Sequence, residues 1–342
     1  MFRIEEPEPS NLTAGVWREQ TMYQLFKLAL GAITFFEAAF GQTSVLAVDI
    51  ENIVVYNQDT ADVTKWATSP EQTDPLVSQN FVPIIWLADV VAVNGIPAKG
   101  TWTVRGTSLV RSTTLTPGQA IADSSSFFFF DWIVDLILPD GRPVGTIMAS
   151  GWGGATKPPG APSTILQANM TITGGTGAYL GIRGQGGQGG NTIAPRNASM
   201  REDPAYRRIL GGGKRRYVFH IIPLETPQIA GIFHADFTPV TASSPARPGE
   251  TLIAQATGLG PTLPGVDPGQ PFPITGLQEV NSPVDVMING KASTVLNKVG
   301  WPGRIGAYRL DFQVPDGTSS GMATIQLSAA WIEGPSAFLP VR

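Results

Sequence analysis

Long strand-like runs joined by tight turns restrict the possible folds of this chain more than any other feature. The segment FVPIIWLADVVAVNGIPAKGTWTVRGTSLV places Asn94 and Gly95 between two such runs, and Asn-Gly favours a hairpin because both positions tolerate positive φ. The segment SFFFFDWIVDLILPDGRPVGTIMASGWGG repeats this design, with Asp140 and Gly141 at its turn. Because such an antiparallel array has exposed edges unless it closes, we predict an antiparallel β-barrel over residues 43–225.

The glycine-rich segment ITGGTGAYLGIRGQGGQGG contains a match to a phosphate-binding motif. Gly184, Gly186 and Gly189 satisfy G-x-G-x-x-G, which binds a dinucleotide when a strand precedes it and a helix follows it. The residues that follow, GNTIAPRNAS, include Pro195 and show no helical period. We therefore interpret the glycines as sites of tight turning and sheet curvature, and we predict no cofactor.

The character of the sequence changes after residue 225. The runs TLIAQATGL, VDVMINGKAS, AYRLDFQVP and ATIQLSAAW alternate apolar and polar positions and are separated by Pro, Gly and Asx turns. About 100 residues of this kind predict an Ig-like β-sandwich over residues 248–342, without the cysteine pair of antibody domains. The polar, proline-containing SSPARPG predicts a linker over residues 226–247. The predicted fold class is therefore all-β, a barrel followed by a sandwich.

The composition excludes several classes of function. Gly 39 and Pro 29 in 342 residues, with 15% charged residues, are typical of a globular β-protein. The formal net charge is -4, whereas nucleic-acid-binding proteins usually have a strongly basic face. No nucleic acid is therefore expected as a partner. Cysteine is absent and only His220 and His234 supply imidazoles, which excludes disulfides and thiol catalysis and predicts no metal site.

The N-terminal part of the sequence suggests export. After Met22, Lys27 forms a short positive region, residues 28–40 form an apolar run, and small residues near 38–41 form a plausible cleavage zone. We predict that residues 1–42 are an upstream extension and a secretory signal peptide, and that the protein is extracellular, periplasmic or at the cell surface. The alternative is an amphipathic core helix, because signal peptides and buried helices of this length look alike.

Alternation along the strand-like runs divides the charged candidates between two faces. In FFFFDWIVDLIL, Asp131 and Asp135 share one face, whereas Trp132 belongs to the opposite, apolar face. If the apolar face packs outward, the carboxylates point into the lumen and could work with Arg183. If it lines the barrel, they are solvated surface charges, which is the alternative we favour because charged groups are rarely buried without partners. Arg105 also lies within a strand-like run.

Two further groups of polar residues suggest contacts. Residues 196–216 hold seven Lys or Arg against two acids, which suits an anionic partner such as a polysaccharide or a lipid headgroup, or else forms a long solvated loop. His234 and Asp236 would share one face of a strand, but no G-x-S-x-G motif accompanies them. A hydrolase triad is therefore not predicted, and we interpret His234 as an interdomain or turn residue.

Two stretches of the N-terminal region resemble a known family. MTITGGTGAYLGIRGQG is similar to the glycine-rich hairpin of allene oxide cyclase-like and dirigent-like barrels, and VLAVDIENI resembles the Asp-bearing first strand of dirigents. This resemblance implies a lumen that holds a hydrophobic ligand and guides its cyclisation or coupling with little covalent help. It also implies that Asp49 and Arg183 make polar contacts with such a ligand.

The C-terminal region resembles a second family. ARPGETLIAQATGLGPTLPGVDPGQPFP and VPDGTSSGMATIQLSAAW are similar to the C-terminal Ig-like domain of large exported acidobacterial proteins. The resemblance implies an appended module and supports export. It implies no activity, and a fold alone does not determine one.

Three hypotheses of function follow. The first is that the barrel binds a small apolar or anionic ligand. The second is that it is a cofactor-free cyclase or stereochemical guide of the isomerase type. The third is that the protein is structural and contacts a cell surface or matrix. No catalytic residue and no oligomeric state are assigned. The candidate ligand-binding residues are Asp49, Arg105, Asp131, Trp132, Asp135 and Arg183.

Overall fold

A computed structural model describes residues 44–57, 82–110, 126–154, 168–199, 201–267 and 269–342. The predicted signal peptide lies outside these residues. The described part of the chain is nearly all β. Within it, no helix has both the length and the apolar character needed to cross a membrane.

The first ten strands build a closed antiparallel barrel, as predicted from the hairpin signals. Their bounds are β1 (Ser44–Asn57), β2 (Val82–Val93), β3 (Ile96–Pro97), β4 (Lys99–Val110), β5 (Ser126–Ile137), β6 (Pro143–Gly154), β7 (Ala168–Gly177), β8 (Arg183–Ile193), β9 (Arg196–Ser199) and β10 (Gly213–Ile222). Eight of them close in the order β1-β2-β4-β5-β6-β7-β8-β10-β1. Strand β3 extends the hairpin after β2, and β9 runs parallel to β1 outside the ring. Because the ring is closed, these eight strands leave no free edge.

Alternation along β5 shows which face lines the lumen. Trp132, Val134 and Leu136 are buried, whereas Asp131 is exposed and Asp135 is half-buried. Since side chains alternate between the two faces of a strand, the apolar face points inward and both carboxylates lie on the outer wall. The favoured alternative for this strand, in which the carboxylates are surface groups, agrees with the structure.

The glycine-rich segment forms strand β8 and is not the start of a nucleotide-binding helix. Gly186 lies opposite Phe219 of β10, and a Cβ atom at this glycine would lie 2.6 Å from Cδ1 of the phenyl ring. Because Phe219 is fully buried, the missing side chain at residue 186 leaves room for the ring inside the barrel.

We expect Gly186→Ala to destabilise the protein by about 1–3 kcal/mol, because the added methyl group would overpack the lumen against Phe219. Urea unfolding followed by circular dichroism measures this change. Gly174→Ala is the matched control, since its Cβ would meet only the Arg183 guanidinium, at 3.8 Å. Equal stability of the two variants would contradict the proposed close approach.

The second domain is one continuous sheet that nearly closes into a barrel-like shape. Its strands are β11 (Gln228–Phe233), β12 (Thr251–Thr257), β13 (Thr262–Leu263), β14 (Glu279–Val280), β15 (Val284–Ile288), β16 (Lys291–Gly300), β17 (Ala307–Gln313), β18 (Gly321–Ala329) and β19 (Ile332–Val341). The main order is β11-β12-β17-β16-β15-β18-β19. The Ig-like sandwich over residues 248–342 stays a prediction. The sheet is continuous because the long β16 pairs with β15 through its first residues and with β17 through its later ones.

The segment predicted as a linker contains a strand. Strand β11 pairs with β12 from Gln228 opposite Thr257 to Phe233 opposite Ile253. Its apolar residues Ile229 and Ile232 pack against the core of the second domain. The run QIAGIF is short and lies among turn residues, which explains why the linker prediction for residues 226–247 missed this strand.

The turn between β18 and β19 closes one end of the barrel. Ala330, Trp331 and Ile332 are buried and pack within the barrel core. The Tyr179 hydroxyl donates a hydrogen bond to the Ala330 carbonyl oxygen at 3.2 Å. We call this the lower end, and the opposite end, where β2 and β5 begin, the upper end. The hydrophobic core of the barrel therefore includes residues of the second domain.

Candidate functional site

An aromatic cluster occupies the barrel lumen. Trp132 lies 5.8 Å from Trp102, 4.7 Å from Tyr217 and 6.4 Å from Phe219, measured between ring centroids. Trp102 and Tyr217 stack at 4.9 Å. Trp102 is only 1% exposed, which fits an eight-stranded barrel, whose interior is just wide enough to be filled by side chains. The lumen is thus packed at its centre, with Trp132 as a core residue.

The upper part of the lumen contains three buried N–H donors, which we call the donor trio. They are Nε1 of Trp86, Nε1 of Trp102 and Nε of Arg215, and none of them has an acceptor among the described residues. The two indole rings lie 6.0 Å apart, and the Arg215 guanidinium carbon lies 4.9 Å from the centroid of the Trp86 ring. The three donors are therefore close neighbours, and a single acceptor group could serve more than one of them.

The donor trio also carries a positive charge without a counter-ion. Within the described chain no carboxylate pairs with Arg215, whose Nη1 donates a long hydrogen bond of 3.5 Å to the Tyr217 hydroxyl. Burial raises the pKa of Tyr217, so this phenol is neutral near pH 7. Arg215, Trp86 and Phe130 are half-buried, which places the charge toward the upper end. A half-buried guanidinium in this position favours a negatively charged acceptor.

Asp49 and Arg183, which the family resemblance suggested, lie on the outer wall. Asp49 accepts two hydrogen bonds from Arg216, at 2.6 and 2.8 Å, because the two residues are register partners on β1 and β10. Arg183 is exposed and donates to the carbonyl oxygens of Thr173 and Ile182. The structure does not bring these residues together, and a ligand inside the lumen would not contact them.

Arg105, Asp131 and Asp135 also lie outside the lumen. Arg105 donates to Asp131 at 2.9 Å, and Ser150 donates to the other carboxylate oxygen at 2.9 Å. The hydrogen bond from Arg105 is the main reason that the pKa of Asp131 is lowered. Burial raises the pKa of Asp135, which is half-buried. These groups form a polar strip on the outer face of β4, β5 and β6. The wall of the barrel separates them from the donor trio, which lies in the lumen.

The basic segment 196–216 is bound to the barrel through its own charges. Five of its seven cations pair with carboxylates on the barrel wall or within the segment: Arg196 with Glu202, Arg207 and Arg208 with Asp89, Lys214 with Glu51, and Arg216 with Asp49. Arg201 also has a partner. The part of the segment before β10 is therefore an anchored cover on the outer wall, and the five paired cations do not form the open patch that an anionic polymer needs.

Asp89 is the centre of this anchoring. It is buried, and it accepts hydrogen bonds from Arg207 at 2.7 Å, from Arg208 at 2.7 Å and from Asn52 at 3.0 Å. Burial opposes the charged form, but the hydrogen bonds from Arg208, Asn52 and Arg207 dominate and lower the pKa of Asp89. Sequence analysis did not single out Asp89, because its partners lie far along the chain.

His234 lies in an arrangement that has the outline of a Ser-His-Glu triad. Its Nδ1 is 2.6 Å from Glu250, and its Nε2 is 3.2 Å from the Ser244 hydroxyl. However, Nε2 also lies 3.1 Å from the Ser244 carbonyl oxygen, and the hydrogen bond with Glu250 raises the pKa of His234.

Both ring nitrogens of His234 therefore face oxygen atoms, which suits a protonated imidazole that donates twice. The backbone N–H of Ser244, a usual oxyanion donor, already bonds to the Thr241 carbonyl oxygen at 3.1 Å. This geometry suits a structural role, in which His234 fixes the loop before β12, better than the activation of Ser244 as a nucleophile. It supports the interpretation of His234 as a turn residue.

The described residues contain no group of three or more His, Cys, Asp or Glu side chains that could hold a metal ion. The donor trio is thus the best candidate site that the described part of the barrel offers. Comparisons with protein-family models, with curated proteins and with solved structures find no match for this chain.

Proposed function

We propose that the barrel binds a small, largely apolar ligand carrying a carboxylate or another anionic acceptor, in the upper part of its lumen. The observation that carries this proposal is the donor trio of Trp86, Trp102 and Arg215, whose three nitrogen atoms (Nε1, Nε1 and Nε) are buried and have no acceptor among the described residues. The sequence hypothesis of a ligand in the barrel is kept. Trp86 and Trp102 are aromatic candidates from the sequence, whereas Arg215 is added by the structure.

The energetic argument rests on unpaired donors. A buried N–H group without an acceptor costs about 1–3 kcal/mol, and a half-buried guanidinium without a counter-ion adds to that cost. An anionic acceptor that enters the upper lumen would recover part of this energy. The rings of Trp86 and Phe130, whose centroids are 5.9 Å apart, offer flat apolar faces for the rest of the ligand. The resemblance to allene oxide cyclase-like and dirigent-like barrels supports the same location.

Titration with 2-naphthoate, followed by calorimetry and by quenching of tryptophan fluorescence, tests this proposal. We expect Arg215→Met to weaken binding at least tenfold, because a hydrogen bond to a charged group contributes about 1.5–3 kcal/mol. The aliphatic replacement keeps contact with Trp86, so the fold should be retained.

Arg105→Met is the matched control, because this arginine is 83% exposed on the outer wall. It should leave binding unchanged. Failure of the wild-type protein to bind 2-naphthoate, or equal binding by both variants, would reject the assignment of an anion site to Arg215.

A second candidate function is structural, and the filled centre of the lumen favours it. Trp102, Trp132 and Phe219 occupy the space that a large ligand would need, and Trp331 closes the lower end. A barrel of this kind suits a rigid module that contacts a cell surface or matrix. The cyclase hypothesis and export rest on the sequence resemblances and remain predictions.

A further inference from the structure

We propose a second binding site, in a cleft between the lower end of the barrel and the second domain, for a small apolar molecule that carries an ammonium or another cationic donor group. This inference goes beyond the function proposed for the lumen, because it concerns a different cavity and a ligand of opposite charge.

The cleft is a defined cavity of about 380 Å³. Its barrel wall comes from the turn between β7 and β8 and from the residues after β10. Its other wall comes from the loops that follow β12 and precede β17. This volume lies in the range of small-molecule sites, which occur preferentially where domains meet.

The cleft is lined by apolar side chains that the rest of the described chain leaves uncovered. Leu180 is 63% exposed, Leu224 is 67% exposed and Ile305 is 63% exposed. They are joined by Val266 and Phe272 in the lining. Large exposed apolar side chains gathered around one cavity mark a binding surface, because covering them removes apolar area from water.

The charged side chains that line the cleft among the described residues are both negative. Glu225 and Asp267 line the cavity, and no Lys, Arg or His is among its described lining residues. Tyr308 lies at the same wall, where its hydroxyl donates to the Gly260 carbonyl oxygen at 2.6 Å. Burial, with a smaller contribution from the charge of Glu225, raises the pKa of Tyr308 to about 12. The polar complement of this lining is a cation or an N–H donor.

The walls of the cleft are held in place by direct contacts. Arg142 of the barrel forms an ion pair with Glu279 of the second domain at 2.7 Å. At Gly260 the two walls touch so closely that a Cβ atom would lie 3.2 Å from the Cβ of Ala178. Because the cavity exists before a ligand binds, the protein loses little conformational entropy on binding, which favours affinity.

Calorimetric titration with 2-naphthylmethylamine, in its ammonium form at pH 7, tests the cleft. We expect the wild-type protein to bind it. We expect Glu225→Gln and Asp267→Asn to weaken binding about threefold each and about tenfold together, because both carboxylates are exposed to solvent screening. Both substitutions are isosteric surface changes, so the variants should fold.

The controls separate this proposal from that for the lumen. Glu333→Gln, which removes an exposed carboxylate outside the cleft, and Arg215→Met should leave binding of the amine unchanged. Absence of amine binding to the wild-type protein would overturn the cleft proposal while leaving the result with 2-naphthoate unaffected. Binding that Glu225→Gln and Asp267→Asn do not weaken would also overturn it, since the ligand would then occupy another place.

Discussion

Trp331→Ala is expected to lower the free energy of unfolding by about 3–5 kcal/mol, because it empties the space that the indole fills at the lower end of the barrel. Trp331 is only 8% exposed and packs with barrel residues although it belongs to the second domain. Guanidinium unfolding followed by circular dichroism measures the loss. Because the indole joins the two cores, the variant should also unfold in two separated steps where the parent protein unfolds in one.

Phe338→Ala is the control for this experiment. It removes an aromatic side chain from β19, the strand that follows Trp331, but one that is 64% exposed, so we expect a change below about 1 kcal/mol. Similar losses for the two variants, or a single unfolding step in both, would contradict the role of Trp331 in joining the domains.

Asp89→Asn is expected to cost about 3 kcal/mol, because the substitution leaves the buried Arg207 without its counter-charge. The same change should loosen the cover formed by residues 196–216, which hydrogen exchange would detect as faster exchange around Arg207 and Arg208. Asp131→Asn is the matched control. It breaks an ion pair with the exposed Arg105, which contributes less than about 1 kcal/mol.

The acid stability of the protein should depend on the same residue. The pKa of Asp89 in the folded protein is lowered, so the folded state favours the charged form relative to the unfolded chain, whose value is about 3.9. The contribution of Asp89 is therefore present above pH 4 and is lost as the pH falls through the folded pKa. Below that pH, Asp89→Asn and the parent protein should approach equal stability. A constant difference down to pH 2 would contradict the assignment.

The barrel was predictable because local sequence patterns identify its strands and turns. In FFFFDWIVDLIL the alternation of Asp131, Trp132 and Asp135 identifies the inner and outer faces, and Asn94-Gly95 forms the predicted turn with positive φ at both positions. The glycine-rich β8 was harder to interpret. Gly186 in β8 leaves space for a large side chain on another strand. That side chain, Phe219, can be identified only from the register of β8 against β10.

The site was not predictable from the sequence for the same reason. Arg215 belongs to a run of three cations, KRR, and alternation along β10 puts it on the same face as the buried Tyr217, while Arg216 faces Asp49 on the outer wall. The contacts that bring Trp86 and Trp102 to Arg215 join different strands, and no local pattern reports them. Charge counting over residues 196–216 left a contact for an anionic partner and a solvated loop as alternatives, and it did not show that five of the seven cations form ion pairs.

The second domain was predicted as an Ig-like β-sandwich, of which the structure confirms the all-β character. Its alternating runs locate β12, β15, β17 and β18, but they do not show that β16 pairs on both sides. A continuous sheet and two facing sheets share the same alternation of buried and exposed residues. The two arrangements differ in the strands with which the two halves of β16 pair.

The turn between β18 and β19 links the assembly of the barrel to the order of protein synthesis. The barrel strands emerge from the ribosome first, and N-terminal domains generally begin to fold during synthesis. Here the barrel core lacks Trp331 and Ile332 until all of β11 to β18 have been made. The nascent barrel therefore exposes an apolar lower end, including Tyr179, during that interval. Its final closure is a late event that depends on the second domain reaching it.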